Sequence, residues 1–300
     1  MDVLVTGASG LIGSALRPAL VAAGHRPVTL VRRPVQGADE IFWDPATGRL
    51  DRASIEGAGA AIHLAGVGIG DKRWTDAQKR ALRESRLQST GLLSRAIAGL
   101  REPPAVLLSA SAIGWYGDRG DEILTERSTG GTGFLADLCQ AWEAATAPAE
   151  QAGTRVVHMR TGIVLTPKGG ALRRLLPLFK LGVGGRFGSG AQWQSWITMD
   201  DEIAAMLHLL AADVAGPVNL TAPNPVRNRE MTATLGRVLH RPAVIPVPRF
   251  APSLLVGAEL ADNVLFFSQR VLPECLEDSG FAFAHPALEG GLRSMLEARD

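Results

Sequence analysis

Residues 1–13 read MDVLVTGASGLIG, and they break from one kind of chain into another at Gly7. Asp2 to Thr6 is a short apolar run with β-branched residues, the composition of a strand buried within a sheet. It runs directly into Gly7, Gly10 and Gly13, after which residues 14–24, SALRPALVAAG, space their apolar side chains as an amphipathic helix does. Gly24 reads as the helix C-cap and Pro27 to Val31 as a second apolar strand. The glycines therefore sit inside a complete βαβ unit.

That position matters, because a chain with 34 glycines produces a glycine triplet readily by chance. Between a strand and a helix, the turn lets a pyrophosphate approach the backbone, accept amide hydrogens and lie against the positive end of the helix. Gly7 makes the tight turn, Gly10 removes the side chain facing the phosphates, and Gly13 lets helix and strand pack closely. Ser9, Leu11 and Ile12 complete the expected dinucleotide-binding turn. An NAD site places an acid at the end of the second strand to hold the ribose 2′-hydroxyl, whereas this chain has Arg32 and Arg33. Planar, permanently charged donors suit a 2′-phosphate, so the expected cofactor is NADP(H). The alternative is a pair of solvated loop charges.

The 46% apolar content over 300 residues supports one large α/β unit with a smaller appended lobe. The expectation is a doubly wound parallel sheet of Rossmann type over residues 1–165, with segments near 191–225 returning to it and residues 166–300 forming mainly a C-terminal substrate or partner lobe. A net charge of +1 without a long basic run argues against nucleic acid as a main partner. No apolar run reaches membrane-spanning length, and the amino terminus enters a strand without a charged leader, so a cytoplasmic protein without a membrane partner is expected. Cys139 and Cys275 cannot form a metal cage and read as small buried hydrophobes.

Further along, IHLAG (62–66) reads as a buried strand, and ligands lie beyond the carboxyl ends of such strands. Leu64, Ala65 and Gly66 are therefore expected near the cofactor, and His63 is expected to be packed or locally hydrogen bonded. A long helix is predicted from about Thr75 to Leu100, with Lys79, Arg83 and Arg86 on its polar face and Pro103-Pro104 as its stop. AVLLSAS (105–111) is the next strand, ending in Ser109 and Ser111. A helix over Phe134 to Gln151, a strand over Arg155 to Val164 and a glycine-rich hinge, GVGGRFGSG (182–190), follow. Prolines then divide the chain, leaving strand-like VNLTAP (218–223) and a helix near Glu230 to Leu239.

TGASGLIG, IHLAG, SASAIGWYGD, RTGIVL and GSGAQWQSWITMDD together resemble an extended short-chain dehydrogenase/reductase, the class of nucleotide-sugar epimerases and dehydratases. DKRWTDAQKRALRESR, GFLADLCQAWE and SQRVLPECLEDSGFAFAHPALEGGL are similar to an epimerase-like subfamily, in places labelled as cell-division-inhibitor homologues. The resemblance implies a ligand-facing Arg86 and a cofactor contact at Val164. It also implies acid/base work by a tyrosine, with a lysine four residues later and a serine or threonine orienting the substrate oxygen.

Here the chain departs from the pattern. Its single tyrosine, Tyr116, is followed four residues on by Gly120. Aligning GFLADLCQAWE with the catalytic helix through Glu143 puts Leu135 at the tyrosine position and Cys139 at the lysine position. Ser111 is left as the hydroxyl member, with Tyr116 as the first substitute acid and Asp118 and Glu122 as further ones. Trp193 and Trp196 either stack on a sugar or base or pack at a lobe junction. Lys72, Arg73 and Trp74 either select an anionic substrate or cap the helix. Two functions follow: an NADP(H)-dependent oxidoreductase or epimerase acting on a small carbonyl or sugar-nucleotide substrate near Ser111 and Tyr116, or an NADPH-binding sensor or scaffold whose reaction is lost.

Overall fold

The computed structural model describes residues 1–297. Its first half runs β1 (Asp2–Thr6), α1 (Leu11–Ala22), β2 (Arg26–Val31), β3 (Glu40–Asp44), β4 (Arg49–Leu50), β5 (Ala60–His63), α2 (Asp76–Ala98) and β6 (Val106–Ala112). Then come β7 (Ile123–Leu124), α3 (Phe134–Ala144), α4 (Ala147–Gln151), β8 (Arg155–Thr161), β9 (Ile163–Leu165) and α5 (Gly170–Lys180). The remainder contributes β10 (Trp193–Gln194), β11 (Trp196–Thr198), α6 (Met199–Ala211), β12 (Gly216–Leu220), β13 (Val226–Arg227) and α7 (Asn228–Val238). It closes with α8 (Phe250–Val256), α9 (Ala258–Ala261), β14 (Arg270–Val271), α10 (Glu274–Asp278) and α11 (Leu288–Leu296).

Eight strands form the main sheet in the order β12-β8-β6-β5-β1-β2-β3-β4. All its pairings are parallel except the two-residue edge strand β4 against β3. The chain winds outward from β1 in one direction through β2 and β3 and in the other through β5, β6 and β8. The switch point between β1 and β5 opens a crevice at the carboxyl ends of those strands. Alternation along the strands covers both faces: Val3, Val5, Ile62 and Leu108 pack with α1 and α6, while Leu4, Ala61 and Leu107 pack with α2.

Thr75 accepts a hydrogen bond from the Gln78 amide and starts α2, and Thr198 does the same for α6 through the Asp201 amide. The expected single helix over 134–151 is two helices. Pro148 stands in the first turn of α4, where it lacks an amide hydrogen to extend α3, and Thr146 Oγ1 donates to the Glu143 carbonyl at the break. The expected strand over 155–164 also divides, at Gly162. A Cβ there would lie 2.6 Å from the Ser195 carbonyl oxygen, and β9 leaves the main sheet to pair with β11. Beyond residue 165, α6 and β12 complete the main sheet and its covering layer, and Leu276 of α10 lies in the same core. A separate cluster joins α5, α7 and α11 around the buried Trp196.

Candidate active site

The glycine turn is built around Gly7, whose φ is 67°. The Gly10 amide donates to the Gly7 carbonyl at 2.9 Å, and Gly10 then caps α1 with no side-chain partner for the helix amides. A Cβ on Gly7 would lie 2.6 Å from the Leu64 backbone carbon, and one on Gly13 would lie 2.3 Å from the Gly7 carbonyl oxygen. Thr6 ties this turn to the end of β5 by accepting from the Leu64 and Ala65 amides. Ser9, Gly10 and Gly66 are exposed, and Gly7, Leu11, Ile12, Leu64 and Ala65 are half-buried. Half-buried Val164 packs against the main core from β9, and the Leu11 side chain lies against Gly169, just before α5.

The two arginines after β2 are not equivalent. Arg33 donates two bonds to the Glu40 carboxylate and one to the Pro34 carbonyl. Arg32 is exposed and makes no hydrogen bond or ion pair among the described residues, which leaves it as the guanidinium available to a ligand there.

Arg86 departs from the expected polar face of α2: it is 7% exposed. Its guanidinium lies over the Trp142 ring at 4.8 Å, donates to the Leu82 carbonyl, and keeps Nε without a partner. Among the described residues no carboxylate pairs with it, and burial lowers its pKa from the ordinary arginine value. A Cβ on Gly66 would meet its Cζ at 3.5 Å, so the charge lies against the segment that follows β5. Cys139 is buried, and burial pushes its thiol up to about 12, which favours the neutral form.

Beyond β5, β6 continues to Ala112. His63 is opposite Ser109, and Ser111, two residues further along β6, is buried in the sheet opposite Arg160 of β8. Ser111 Oγ donates to Glu143 Oε1 at 2.6 Å, and Arg160, its partner across the parallel pair, grips both Glu143 oxygens at 2.9 Å. The Arg160 and Glu143 side chains are 4% and 11% exposed, and Trp115 covers the guanidinium at 3.6 Å. Glu143 thus belongs to the site although only its place in an alignment was legible beforehand. The signal was its spacing, since Leu135, Cys139 and Glu143 follow at intervals of four and share one helix face.

Tyr116 does not stand as an acid facing a substrate. It is fully buried in a cluster with Ile113, Leu124 and Val271, its hydroxyl donates to Asn219 Oδ1 and accepts from Arg160, and burial raises its pKa to about 12. Asp118 and Glu122 are also spent locally, on the Ser268 amide and on Arg119. Trp196 is a packing residue that donates to the Asn224 carbonyl, while Trp193 lies half-buried against Arg227 and Arg270. Arg73 donates to the carbonyls of Leu254 and Leu255, and Trp74 to that of Ile69, which makes them tethers of the loop before α2. Lys72 is exposed.

Residues 3–221 match the NAD dependent epimerase/dehydratase family, and residues 247–295 match a domain of unknown function, DUF1731. Epimerase family protein Mb2239 of Mycobacterium bovis is 46% identical over 284 residues, covering 94% of this chain and 93% of its own. The crystal structure of human epimerase family protein SDR39U1 (isoform 2) with NADPH superposes with a TM-score of 0.91 at 34% identity, over 99% of this chain and 100% of that one. A nucleoside-diphosphate sugar epimerase from Corynebacterium glutamicum, of which the match covers 58%, superposes over 99% of this chain with a TM-score of 0.80 at 37% identity. A nucleotide crevice at the switch point, with these matches along nearly the whole chain, leads to one conclusion: the chain belongs to the NAD dependent epimerase/dehydratase family.

Proposed function

We propose that the protein is an NADP(H)-dependent oxidoreductase of epimerase-like type, acting in the cytoplasm on a small carbonyl or sugar-nucleotide substrate whose reacting oxygen lies at Ser111. The observation that carries the cofactor choice is Arg32 just after β2, exposed and unpaired among the described residues, where a ribose 2′-phosphate needs a cation. The NADPH named with the human relative supports it. The residues fit the group: among the described residues the amides at the start of α1 have no side-chain cap and the buried Arg86 Nε has no partner, and the Gly7 turn leaves no room for a Cβ. In this reading the Gly7–Gly13 turn holds the pyrophosphate and Arg32 the 2′-phosphate. Arg86 reaches phosphate or ribose oxygens, while Leu64, Ala65, Gly66 and Val164 frame the nicotinamide half. Bound cofactor supplies or accepts hydride. The chain's own residues orient the substrate, and much of 166–300 frames it.

Titration of the purified protein with NADPH and NADH, followed by fluorescence, tests the cofactor assignment. NADPH is expected to bind at least about tenfold more tightly, a difference of about 1.4 kcal/mol. Arg32→Glu is expected to erase that preference, and equal affinities in the unaltered protein would overturn the assignment. A second reading, an NADPH-binding sensor, is favoured by Leu135 and Cys139 at the two positions where acid/base residues are expected and by Tyr116 in the core. Steady NADPH consumption with a defined product excludes the sensor, whereas tight binding without turnover on any carbonyl favours it.

A further inference from the structure

Two short stretches of the C-terminal half, residues 170–187 and 241–256, hold eight of the fifteen large apolar side chains that are exposed among the described residues. The same stretches contain Arg173, Arg174, Lys180, Arg186, Arg241 and Arg249 and no Asp or Glu. From this pairing of apolar and cationic side chains we infer that the two stretches form one surface, which seats the protein on an anionic lipid bilayer. The seat is peripheral, since among the described residues no helix is long and apolar enough to cross a membrane. The expectation of no membrane partner rested on the lack of a spanning run, and a surface seat requires none.

The stretches lie side by side. Arg241 Nε donates to the Lys180 carbonyl at 3.0 Å, the Val247 amide to the Arg186 carbonyl at 2.8 Å, and the Gly188 amide to the Val247 carbonyl at 2.9 Å. Within α5, Leu172, Leu176 and Phe179 are buried against α7 and α11, and the opposite face carries Arg174, Leu178 and Leu181 at intervals of four and three residues. Leu181 is 77% exposed, and Leu254 and Leu255 of α8 are 69% and 78% exposed. A helix side that faces water is ordinarily polar, whereas leucine interleaved with arginine and lysine is the make-up of a helix lying in a membrane interface. There the apolar side chains enter the acyl boundary and the long basic ones keep their charge at the headgroups. Charge selects the occupant. Arg174 has Asp71 at 4.0 Å and Arg249 pairs with Asp262, but Arg173, Lys180, Arg186 and Arg241 have no ion pair among the described residues. A second copy docked by a two-fold contact would set these cations against themselves, whereas anionic headgroups meet them with opposite charge. The surface adjoins the loop after β5, where Arg73 donates to the Leu254 and Leu255 carbonyls and Arg174 to the Gly70 carbonyl, so a seated molecule turns that loop toward the lipid.

Sedimentation of the full-length protein with vesicles tests the seat, using phosphatidylcholine alone and phosphatidylcholine mixed with phosphatidylglycerol. Binding is expected to the mixed vesicles and not to the neutral ones, and it is expected to weaken as salt rises. Leu178→Ser/Leu181→Ser and Leu254→Ser/Leu255→Ser remove apolar side chains, and Arg173→Gln/Lys180→Gln removes charge. Each doubly substituted variant is expected to lose at least about tenfold in affinity for the mixed vesicles. All three should keep the circular dichroism of the parent, because the substituted side chains are exposed and hold no buried contact of the core. Analytical ultracentrifugation without lipid is expected to give one mass for the parent and the leucine variants alike. A parent that stays in solution beside mixed vesicles at low salt would overturn the seat, as would equal binding to neutral vesicles or variants that sediment as the parent does. Self-association of the parent that the leucine substitutions abolish would also overturn it, making the surface a contact between copies of the chain.

Discussion

Gly7 and Gly13 are placed where a single methyl group changes the turn. Gly7 combines a φ of 67° with a virtual Cβ 2.6 Å from the Leu64 carbon, and Gly13 would press a Cβ to 2.3 Å from the Gly7 oxygen. Either backbone must move to accept alanine, and at Gly7 the left-handed conformation adds roughly 1–2 kcal/mol. Gly7→Ala is expected to weaken NADPH binding by more than about tenfold, while the far-UV circular dichroism stays that of the parent. Unchanged affinity by fluorescence titration would refute the close approach. These glycines were legible because spacing between strand and helix is a property of the sequence. Glu143 was legible only as an alignment position: its role depends on Ser111 and Arg160, which lie 32 and 17 residues away in the chain and meet it only across α3, β6 and β8.

At the scale of elements, buried titratable groups pin strands to helices and make stability depend on pH. His63 at the end of β5 is fully buried between Thr6 of β1 and Thr90 of α2. Thr6 Oγ1 accepts two amide hydrogens and gives its own to Nδ1, which assigns the remaining ring hydrogen to Nε2, facing Thr90. Burial lowers its pKa to about 3. A depressed base contributes stability that is present above the ordinary value of 6.5 and is lost as pH falls toward 3. Glu202 of α6 is the reverse case: it accepts from Thr161 at the end of β8, has no partner at Oε2, and is raised to about 8 by burial. A raised acid is stabilising below its ordinary value of 4.5, and that contribution is lost as pH climbs toward 8. Glu202→Gln is therefore expected to raise the unfolding temperature relative to the parent in weakly alkaline buffer and to change it little in acid. A constant offset across pH in thermal unfolding would show that Glu202 does not titrate between the two states.

At the scale of the whole molecule, polar contacts tie the C-terminal segment to the main sheet across four hydrophobic clusters. Asp201 at the start of α6 accepts the Ala284 and His285 amides, and the buried Glu126 accepts those of Asn219 and Cys275, so the C-terminal segment is stapled to the main sheet. Leu276 is fully buried in the main core although it lies 110 residues beyond the expected boundary at 166. Leu276→Ala is expected to cost about 2–5 kcal/mol and to shift the whole denaturant transition without splitting it. Two transitions, with the sheet's transition unmoved, would show independent lobes. Among the described residues no helix is long and apolar enough to cross a membrane.

The sequence by itself determined the parallel sheet, the glycine turn, the packed His63 and the place of Arg32, because each depends on residues within one βαβ unit or on the local period of apolar side chains. Local signals also misled where a proline or a close backbone approach interrupted a periodic run, as at Pro148 and Gly162. Only the tertiary structure decided that, among the described residues, Arg33 is paired and Arg32 is not and Arg86 is buried without a carboxylate, that Tyr116 belongs to the core, and that Glu143 joins Ser111. Each of those depends on what stands opposite a side chain in space. A hydrogen bond or an ion pair between distant elements leaves no period in the chain for a sequence to show.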